Sequence, residues 1–122
     1  MIFLALALLQ AAPDHPKYVF FDWGKSEITR DASATLDAIA SEYRDGMRIQ
    51  VVGHSDRSGS KWSNRASSRK RAQAVRDYLV GKGVSESAIA VSAVGENAPI
   101  IVTADGVREV QNRRVEISVE RP

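Results

Sequence analysis

The stretch "VVGHSDRSGS", residues 51–60, joins the apolar end of a predicted strand to the start of a long predicted helix. Upstream, "MRIQVVG" alternates apolar and polar residues before it becomes wholly apolar, which predicts a strand. Downstream, apolar residues recur at helical spacing from about Asn64 to Val80, and Gly81 and Gly83 end the helix. The loop therefore lies at the end of a strand, which is where ligands bind in open α/β sheets.

The flanking sequence predicts three further strands and one further helix. "YVFF" (18–21) is a short aromatic and β-branched strand, followed by a turn at 22–24. Thr29 caps a helix that continues to Tyr43 and that Gly46 closes. "AIAVSAVG" (88–95) and "RRVEISVE" (113–120) are strands, and the connection 96–112 has room for a short helix. The order β-α-β-α-β-(short helix)-β predicts an α+β fold, with helices packed on a mixed four-stranded sheet.

The composition is that of one domain with a leader. The 122 residues include no cysteine, which excludes disulfides and thiolate metal sites, and the net charge is +2. Residues 1–12, "MIFLALALLQAA", are too short to span a bilayer and are typical of the apolar core of a signal peptide. We therefore expect a signal peptide at 1–12, a linker at 13–17, a folded domain at 18–121, and export from the cytoplasm.

Positive charge is concentrated at the start of the second helix. Such a patch suits an anionic partner, or it is a solvated helix face. Trp62 stands alone near the helix start, and no base-reading pattern accompanies the charges, so we predict no nucleic-acid partner and keep nucleic-acid binding only as a weaker alternative. The cations of this helix are Lys61, Arg65, Arg69, Lys70, Arg71 and Arg76.

The sequence offers no catalytic or metal centre. His54, Ser55 and Asp56 are consecutive, so in extended chain they point to alternating faces and cannot form a hydrogen-bonded triad. Asp56, Ser58 and Ser60 match the start of a calcium loop, but the glycine and glutamate that the loop also needs are missing. No glycine-rich phosphate loop is present. We predict a protein that is not an enzyme and needs neither a metal nor a cofactor.

One charged residue of the second predicted helix falls on its apolar, inward-facing side. The apolar side contains Ser68, Ala72, Val75, Tyr78 and Leu79. Arg71, four residues before Val75, falls within this inward stripe, where an unpaired guanidinium would be costly. The nearest candidate acid is Asp56. The pair is either an internal salt bridge or a split site in which Asp56 binds a cation and Arg71 binds a carboxylate.

The segments "VVGHSDRSGS…SNRASSRKRAQAVRDYLVGKGV", "AVGENAPI" and "NRRVEISV" resemble the OmpA-like peptidoglycan-binding domain. The likeness extends from about Tyr18 to Glu120 and rests on three separate motifs in the family's order. Serine at 55 replaces the family's usual threonine, and Ser67 stands where leucine is common.

The resemblance implies a set of ligand-binding residues. The family's ligand-binding aspartate and arginine match Asp56 and Arg71, and Asn64 matches an asparagine ahead of that arginine. Asp22 matches the acid after the first strand, and Asn112 and Arg113 match the Asn-Arg-Arg motif beside the same cleft. Ser58, in the loop, is a further candidate, whereas His54 is expected to be structural.

The resemblance also implies a partner. The domain would bind peptidoglycan, without catalysis, through the diaminopimelate of the stem peptide, whose free end carries an ammonium and a carboxylate. It would work in the periplasm, with the outer membrane and the envelope proteins there as candidate partners. The alternative is the same fold used as a protein-interaction module that does not bind the wall.

Overall fold

A computed structural model describes residues 15–122 of the chain, so the predicted signal peptide lies outside the described residues. The described elements are β1 (Lys17–Phe20), α1 (Arg30–Glu42), β2 (Arg48–His54), α2 (Lys61–Gly81), a 3-10 turn (Glu86–Ala88), β3 (Ile89–Gly95), a second 3-10 turn (Val110–Asn112) and β4 (Arg114–Glu120). This is the predicted β-α-β-α-β-β order. The 3-10 turn before β3 was not predicted.

The four strands form one mixed sheet in the order β1-β4-β2-β3. β4 runs antiparallel to both β1 and β2, whereas β2 and β3 are parallel and are connected through α2. The parallel pair brings the carboxyl ends of β2 and β3 together, and the loop 55–60 leaves the sheet at that edge. The predicted α+β class with a mixed four-stranded sheet is confirmed.

Both helices and one face of the sheet share a single apolar core. Leu36 of α1, Val75 and Leu79 of α2, and Val51 and Ile117 of the central strands are fully buried in it. The strand residues alternate inward and outward, as a sheet covered on one face requires. Among the described residues 15–122, the strands, the helices and the buried members of this core all lie within 17–120, so this part of the chain contains a core of its own.

The helix ends differ in detail from the predicted ones. Thr29 caps α1 as predicted, its side chain accepting from the Ala32 N–H at 3.1 Å. However, α1 ends at Glu42, and Gly46 lies in the following turn with a φ of +90°. Ser60 caps α2, which begins at Lys61, three residues before the predicted start. Within residues 15–122, no helix has the length and apolarity needed to cross a bilayer.

Candidate functional site

A polar pocket of about 160 Å³ lies where the loop after β2 meets the start of α2. The turn after β1 and the first residues after the second 3-10 turn complete its wall. The pocket is lined by Trp23, Gly24, Ser55, Asp56, Ser58, Gly59, Ser63, Asn64, Ser67, Arg71 and Arg113. Five of the seven predicted site residues, Asp56, Arg71, Asn64, Ser58 and Arg113, are therefore brought together.

Close packing of α2 on β2 positions the pocket. A Cβ placed on Gly53 would lie 1.9 Å from the carbonyl oxygen of Ser68, so only glycine lets the helix backbone approach this strand. Ser68 is fully buried, and its hydroxyl accepts from the Gly95 N–H at 3.1 Å, which ties the helix to the end of β3 as well. The first turns of α2 are thereby fixed against the ends of both parallel strands.

Asp56 is buried, with 3% of its surface exposed, and four donors surround its carboxylate. Oδ1 accepts from the Ser58 N–H at 3.1 Å and from the Ser58 hydroxyl at 2.6 Å. Oδ2 accepts from the Glu109 N–H at 3.1 Å and from Nη1 of Arg113 at 3.0 Å. A carboxylate offers about four acceptor positions, so all those of Asp56 are occupied.

These donors keep Asp56 ionised despite its burial. Burial by itself acts to raise the pKa of Asp56, but the hydrogen bonds from Ser58, Arg113 and the Glu109 N–H outweigh it and lower the pKa. Asp56 therefore carries a full negative charge at neutral pH. Its ion-pair partner is Arg113, whose side chain is itself largely buried.

Arg71 is buried to the same degree as Asp56, with 3% exposed, as its place in the inward stripe of α2 predicts. Nε donates to the Lys25 carbonyl oxygen at 3.0 Å, and Nη2 donates to the Asp22 carbonyl oxygen at 3.4 Å. The guanidinium also lies 5.6 Å from the centre of the Phe21 ring. These contacts are all with the segment 21–25 after β1 and are made through neutral groups.

The charge of Arg71 is held at a cost. Burial, and then repulsion by the nearby charge of Arg113, lower the pKa of Arg71 to about 10, while attraction to Asp56 acts in the opposite direction. The internal salt bridge considered between Asp56 and Arg71 is absent from the ion pairs of residues 15–122, because Arg113 takes that place. The pocket therefore holds two cations and one carboxylate, an excess of positive charge.

The remaining pocket wall is polar. Asn64 is buried and its Nδ2 donates to the Gly59 carbonyl oxygen at 3.1 Å, which closes the loop onto the helix. The Ser55 hydroxyl is also buried, and it has no hydrogen-bond partner in the described structure. A buried polar group without a partner is costly unless a ligand or water supplies one.

Two predicted site residues lie outside the pocket lining. The side chain of Asp22 is exposed and faces a neighbouring groove of about 530 Å³, and only its carbonyl contacts Arg71. Asn112 is fully buried, and its side chain forms hydrogen bonds to the backbone of the loop 96–112. Its Oδ1 accepts from the N–H groups of Ile100 and Ile101 at 2.9 and 3.0 Å, and its Nδ2 donates to the Ile101 carbonyl oxygen.

The structure adds two residues that the sequence analysis missed. The indole N–H of Trp23 donates to the Ser58 hydroxyl at 3.1 Å, so an aromatic wall stands beside Asp56. The guanidinium of Arg108 lies 3.4 Å from the centre of the Trp23 ring and connects this wall to the long loop. An aromatic residue directly after the predicted acid Asp22 was the available signal for Trp23. No pattern in the sequence indicated Arg108.

His54 has the structural position expected of it. Its imidazole is buried away from the pocket lining, with Nε2 3.3 Å from a carboxylate oxygen of Glu116 but without hydrogen-bond geometry. Burial, and then the charge of Arg114, lower the pKa of His54, although Glu116 acts in the opposite direction. No group of three or more metal-ligating side chains of the kind His, Cys, Asp or Glu occurs in residues 15–122.

Comparison with known proteins gives a consistent match. A family model described as "OmpA family" matches residues 20–113. The chain is 39% identical over 114 residues to an outer membrane protein of Gluconacetobacter diazotrophicus, covering 86% of this chain and 30% of that protein. It is 33% identical over 99 residues to the peptidoglycan-associated lipoprotein of Pseudomonas aeruginosa, covering 80% of this chain and 59% of the relative. The chain thus spans less than two thirds of either relative.

Solved structures share the fold. The peptidoglycan-associated lipoprotein from Burkholderia pseudomallei superposes with a TM-score of 0.78 at 26% identity, covering 85% of this chain and 90% of the other. The C-terminal domain of MotB from Helicobacter pylori superposes with a TM-score of 0.72 at 23% identity, covering 87% and 85%. The second likeness bears on the fold alone.

Proposed function

The chain belongs to the OmpA family, and we propose that its pocket binds peptidoglycan through the diaminopimelate residue of the stem peptide. The observation that carries the proposal is Arg71, a buried cation that lines the pocket and whose hydrogen bonds go to carbonyls rather than to a carboxylate. Two relatives are named for association with peptidoglycan, which supports the choice of polymer. The proposed role is binding and not catalysis.

The chemistry of diaminopimelate matches the charges of the pocket. Its free end carries an ammonium and a carboxylate on one carbon. Arg71 would bind the carboxylate, because a charge-assisted guanidinium–carboxylate bond is stronger than a bond to a neutral carbonyl. Asp56 would attract the ammonium. The excess positive charge of the pocket favours the carboxylate as the group that contributes most to affinity.

Access of the ammonium to Asp56 depends on Ser58. Three of the four donors to Asp56 are two backbone N–H groups and a buried arginine, all fixed by the fold. The Ser58 hydroxyl is the one donor that can rotate, because a hydroxyl turns freely about its C–O bond. Its rotation would free an acceptor position on Oδ1 and present the hydroxyl oxygen to the ammonium. Ser58 would thus exchange an internal hydrogen bond for one to the ligand.

Of the other predicted site residues, some would contact the ligand and some would act indirectly. Asn64 and Arg113 line the pocket and would orient the stem peptide together with the loop backbone. Asp22 would act through its carbonyl, which holds Arg71. Asn112 would act at a distance by shaping the loop 96–112 that supplies the Glu109 N–H to Asp56.

Binding to the wall implies an envelope location. We place the protein in the periplasm, where peptidoglycan is accessible, in association with the outer membrane or with envelope proteins. Its relatives include proteins named as outer membrane proteins, which supports this placement. Nucleic acid is not a proposed partner.

The test is calorimetric titration with two matched stem peptides, one with diaminopimelate and one with lysine at the third position. Lysine retains the ammonium and lacks the carboxylate, so its peptide should bind about 10- to 100-fold more weakly. Arg71→Met should abolish this difference, whereas Arg69→Met, an exposed neighbour on α2, should not.

The full chain and a chain starting at Pro13 should behave alike, because the elements of the fold that the structure describes lie within residues 17–120. Equal binding of the two peptides would contradict recognition through Arg71. No binding of either, together with no co-sedimentation with purified wall, would favour the alternative of a protein-interaction module.

A further inference from the structure

Four exposed cations at the start and middle of α2 have no ion-pair partner among residues 15–122. We name them the basic face. It consists of Lys61, Arg65, Arg69 and Lys70. α2 contains six basic residues and one acid, Asp77, and that acid is paired with Arg76 at 3.2 Å. The basic face is therefore not neutralised by its own helix.

Two apolar side chains stand in solvent beside the basic face. Trp62, in the first turn of α2, is 82% exposed, and Val102, in the loop 96–112, is 86% exposed. Val102 and Lys61 line the same shallow depression of about 220 Å³, so the loop lies against the start of the helix. Both apolar groups therefore lie next to Lys61 of the basic face, since Trp62 follows Lys61 in the chain and Val102 lines the same depression as Lys61.

The acids nearest this region are already engaged. Glu96 and Asp105 both pair with Arg57, with Nε of Arg57 2.9 Å from Glu96. Arg57 also donates to the Thr103 carbonyl oxygen, which holds the loop beside α2. The region therefore presents free positive charge and exposed apolar groups together.

We propose that the basic face, with Trp62 and Val102, docks on the surface of an anionic lipid membrane. Cations attracted by lipid phosphates and an indole at the headgroup level are the combination that holds proteins at membrane interfaces. A nucleic acid could use the cations and the indole, but it offers no site for the aliphatic Val102. The membrane accounts for all the exposed groups.

Arg69 of the basic face and the proposed ligand pocket lie on different sides of α2. Residues two apart on a helix point about 200° from one another. Ser67 and Arg71 line the pocket, so Arg69, which lies two residues from each, points away from it. A membrane and a pocket ligand could therefore be held at the same time.

The test is sedimentation with vesicles of phosphatidylcholine alone and with about a third phosphatidylglycerol, at low and high salt. Each cation near an anionic surface is worth about fivefold in partitioning, so Arg65→Gln with Arg69→Gln should weaken binding roughly 20-fold. The matched control is Arg30→Gln with Arg48→Gln, which removes the same charge from exposed positions elsewhere and should have a small effect.

Trp62 supplies an independent readout. Anionic vesicles should shift the tryptophan emission of the parent to shorter wavelength, and Trp62→Phe should remove this shift while Trp23 remains. The chain starting at Pro13 must be used beside the full chain, because the apolar residues 1–12 can bind vesicles themselves.

Two results would overturn the proposal. One is equal loss of vesicle binding in the test and control double variants. The other is binding to a single-stranded oligonucleotide as tight as binding to vesicles, with no shift of Trp62 emission on vesicles, which would indicate a general polyanion surface. Neither result bears on titration with the stem peptides, so failure here leaves the peptidoglycan proposal separately testable.

Discussion

Replacing Arg71 by methionine should weaken binding of the diaminopimelate peptide to the level of the lysine peptide while leaving the fold about as stable as it is now. The lowering of the pKa of Arg71 to about 10 corresponds to about 3 kcal/mol by which the folded state disfavours the charged guanidinium. Because the folded pKa is below the unfolded one, the unfolded state binds more protons from about pH 10 upward until the unfolded pKa is passed, and stability rises with pH in that window. At pH 7 the charge is therefore a net cost to folding.

Methionine removes that cost and keeps much of the side-chain volume. The substitution also removes two hydrogen bonds and leaves the Lys25 carbonyl without its arginine donor, which costs about 1–3 kcal/mol. The two effects oppose each other, so we expect the free energy of unfolding to change by less than about 2 kcal/mol. Replacing buried ionic groups with apolar ones of similar size is often neutral or stabilising.

Urea unfolding followed by circular dichroism measures the stability, and titration with the diaminopimelate peptide measures the function. Arg69→Met, at an exposed position of the same helix, controls for loss of charge. The reasoning would be refuted if Arg71→Met lost more than about 3 kcal/mol of stability while its folded fraction still bound the peptide. Arg71 would then be a structural residue of the turn after β1.

Two further substitutions test the supporting structure. Arg113→Gln should destabilise the fold by about 2 kcal/mol at pH 7. The difference should shrink as the pH falls through the lowered pKa of Asp56, because the ion pair is then lost in the parent too. Urea unfolding at pH 7 and along a series of acidic pH values measures this, and a difference that stays constant across the whole series would contradict it. Gly53→Ala should lower the free energy of unfolding by about 3 kcal/mol or more, because its Cβ would collide with the Ser68 carbonyl. The control Gly81→Ala meets no atom within 4 Å and should be neutral or stabilising. Thermal unfolding of both variants separates the effect of crowding from that of the glycine-to-alanine change itself.

The sequence was sufficient to predict the order of the elements and the burial of Arg71. Alternation in β4 and helical spacing in α2 are local signals, and each predicted element formed. The burial of Arg71 followed from the same spacing, because the helix turns its residues inward regardless of their charge. The predicted bounds were less accurate at helix ends. The helix α2 begins at Lys61, earlier than predicted, because Ser60 caps it there.

The partners within the site could not be predicted in this way. Asp56 and Arg113 are 57 positions apart, and only the antiparallel pairing of β4 with β2 brings them together. Trp23 and Arg108 are also distant in the chain, and they meet because Arg108 lies in the loop 96–112, which the buried Asn112 holds by hydrogen bonds. Spacing along the chain indicates which face a residue occupies, but not which residue from another element will meet it.

The two charges of the pocket are in different chemical states before any ligand arrives. All acceptor positions of Asp56 are filled, so a cation must displace a donor to reach it, and the Ser58 hydroxyl is the donor most easily displaced. Arg71 donates only to neutral carbonyls, so an anion that replaces them gains a stronger bond and offsets the cost of burial. An anion therefore gains both the stronger bond to Arg71 and the offset of the cost of burying its charge. A cation gains only the difference between its bond to Asp56 and the Ser58 hydrogen bond that it displaces. The proposed site would therefore select first for a carboxylate and then, among carboxylates, for one with an ammonium beside it.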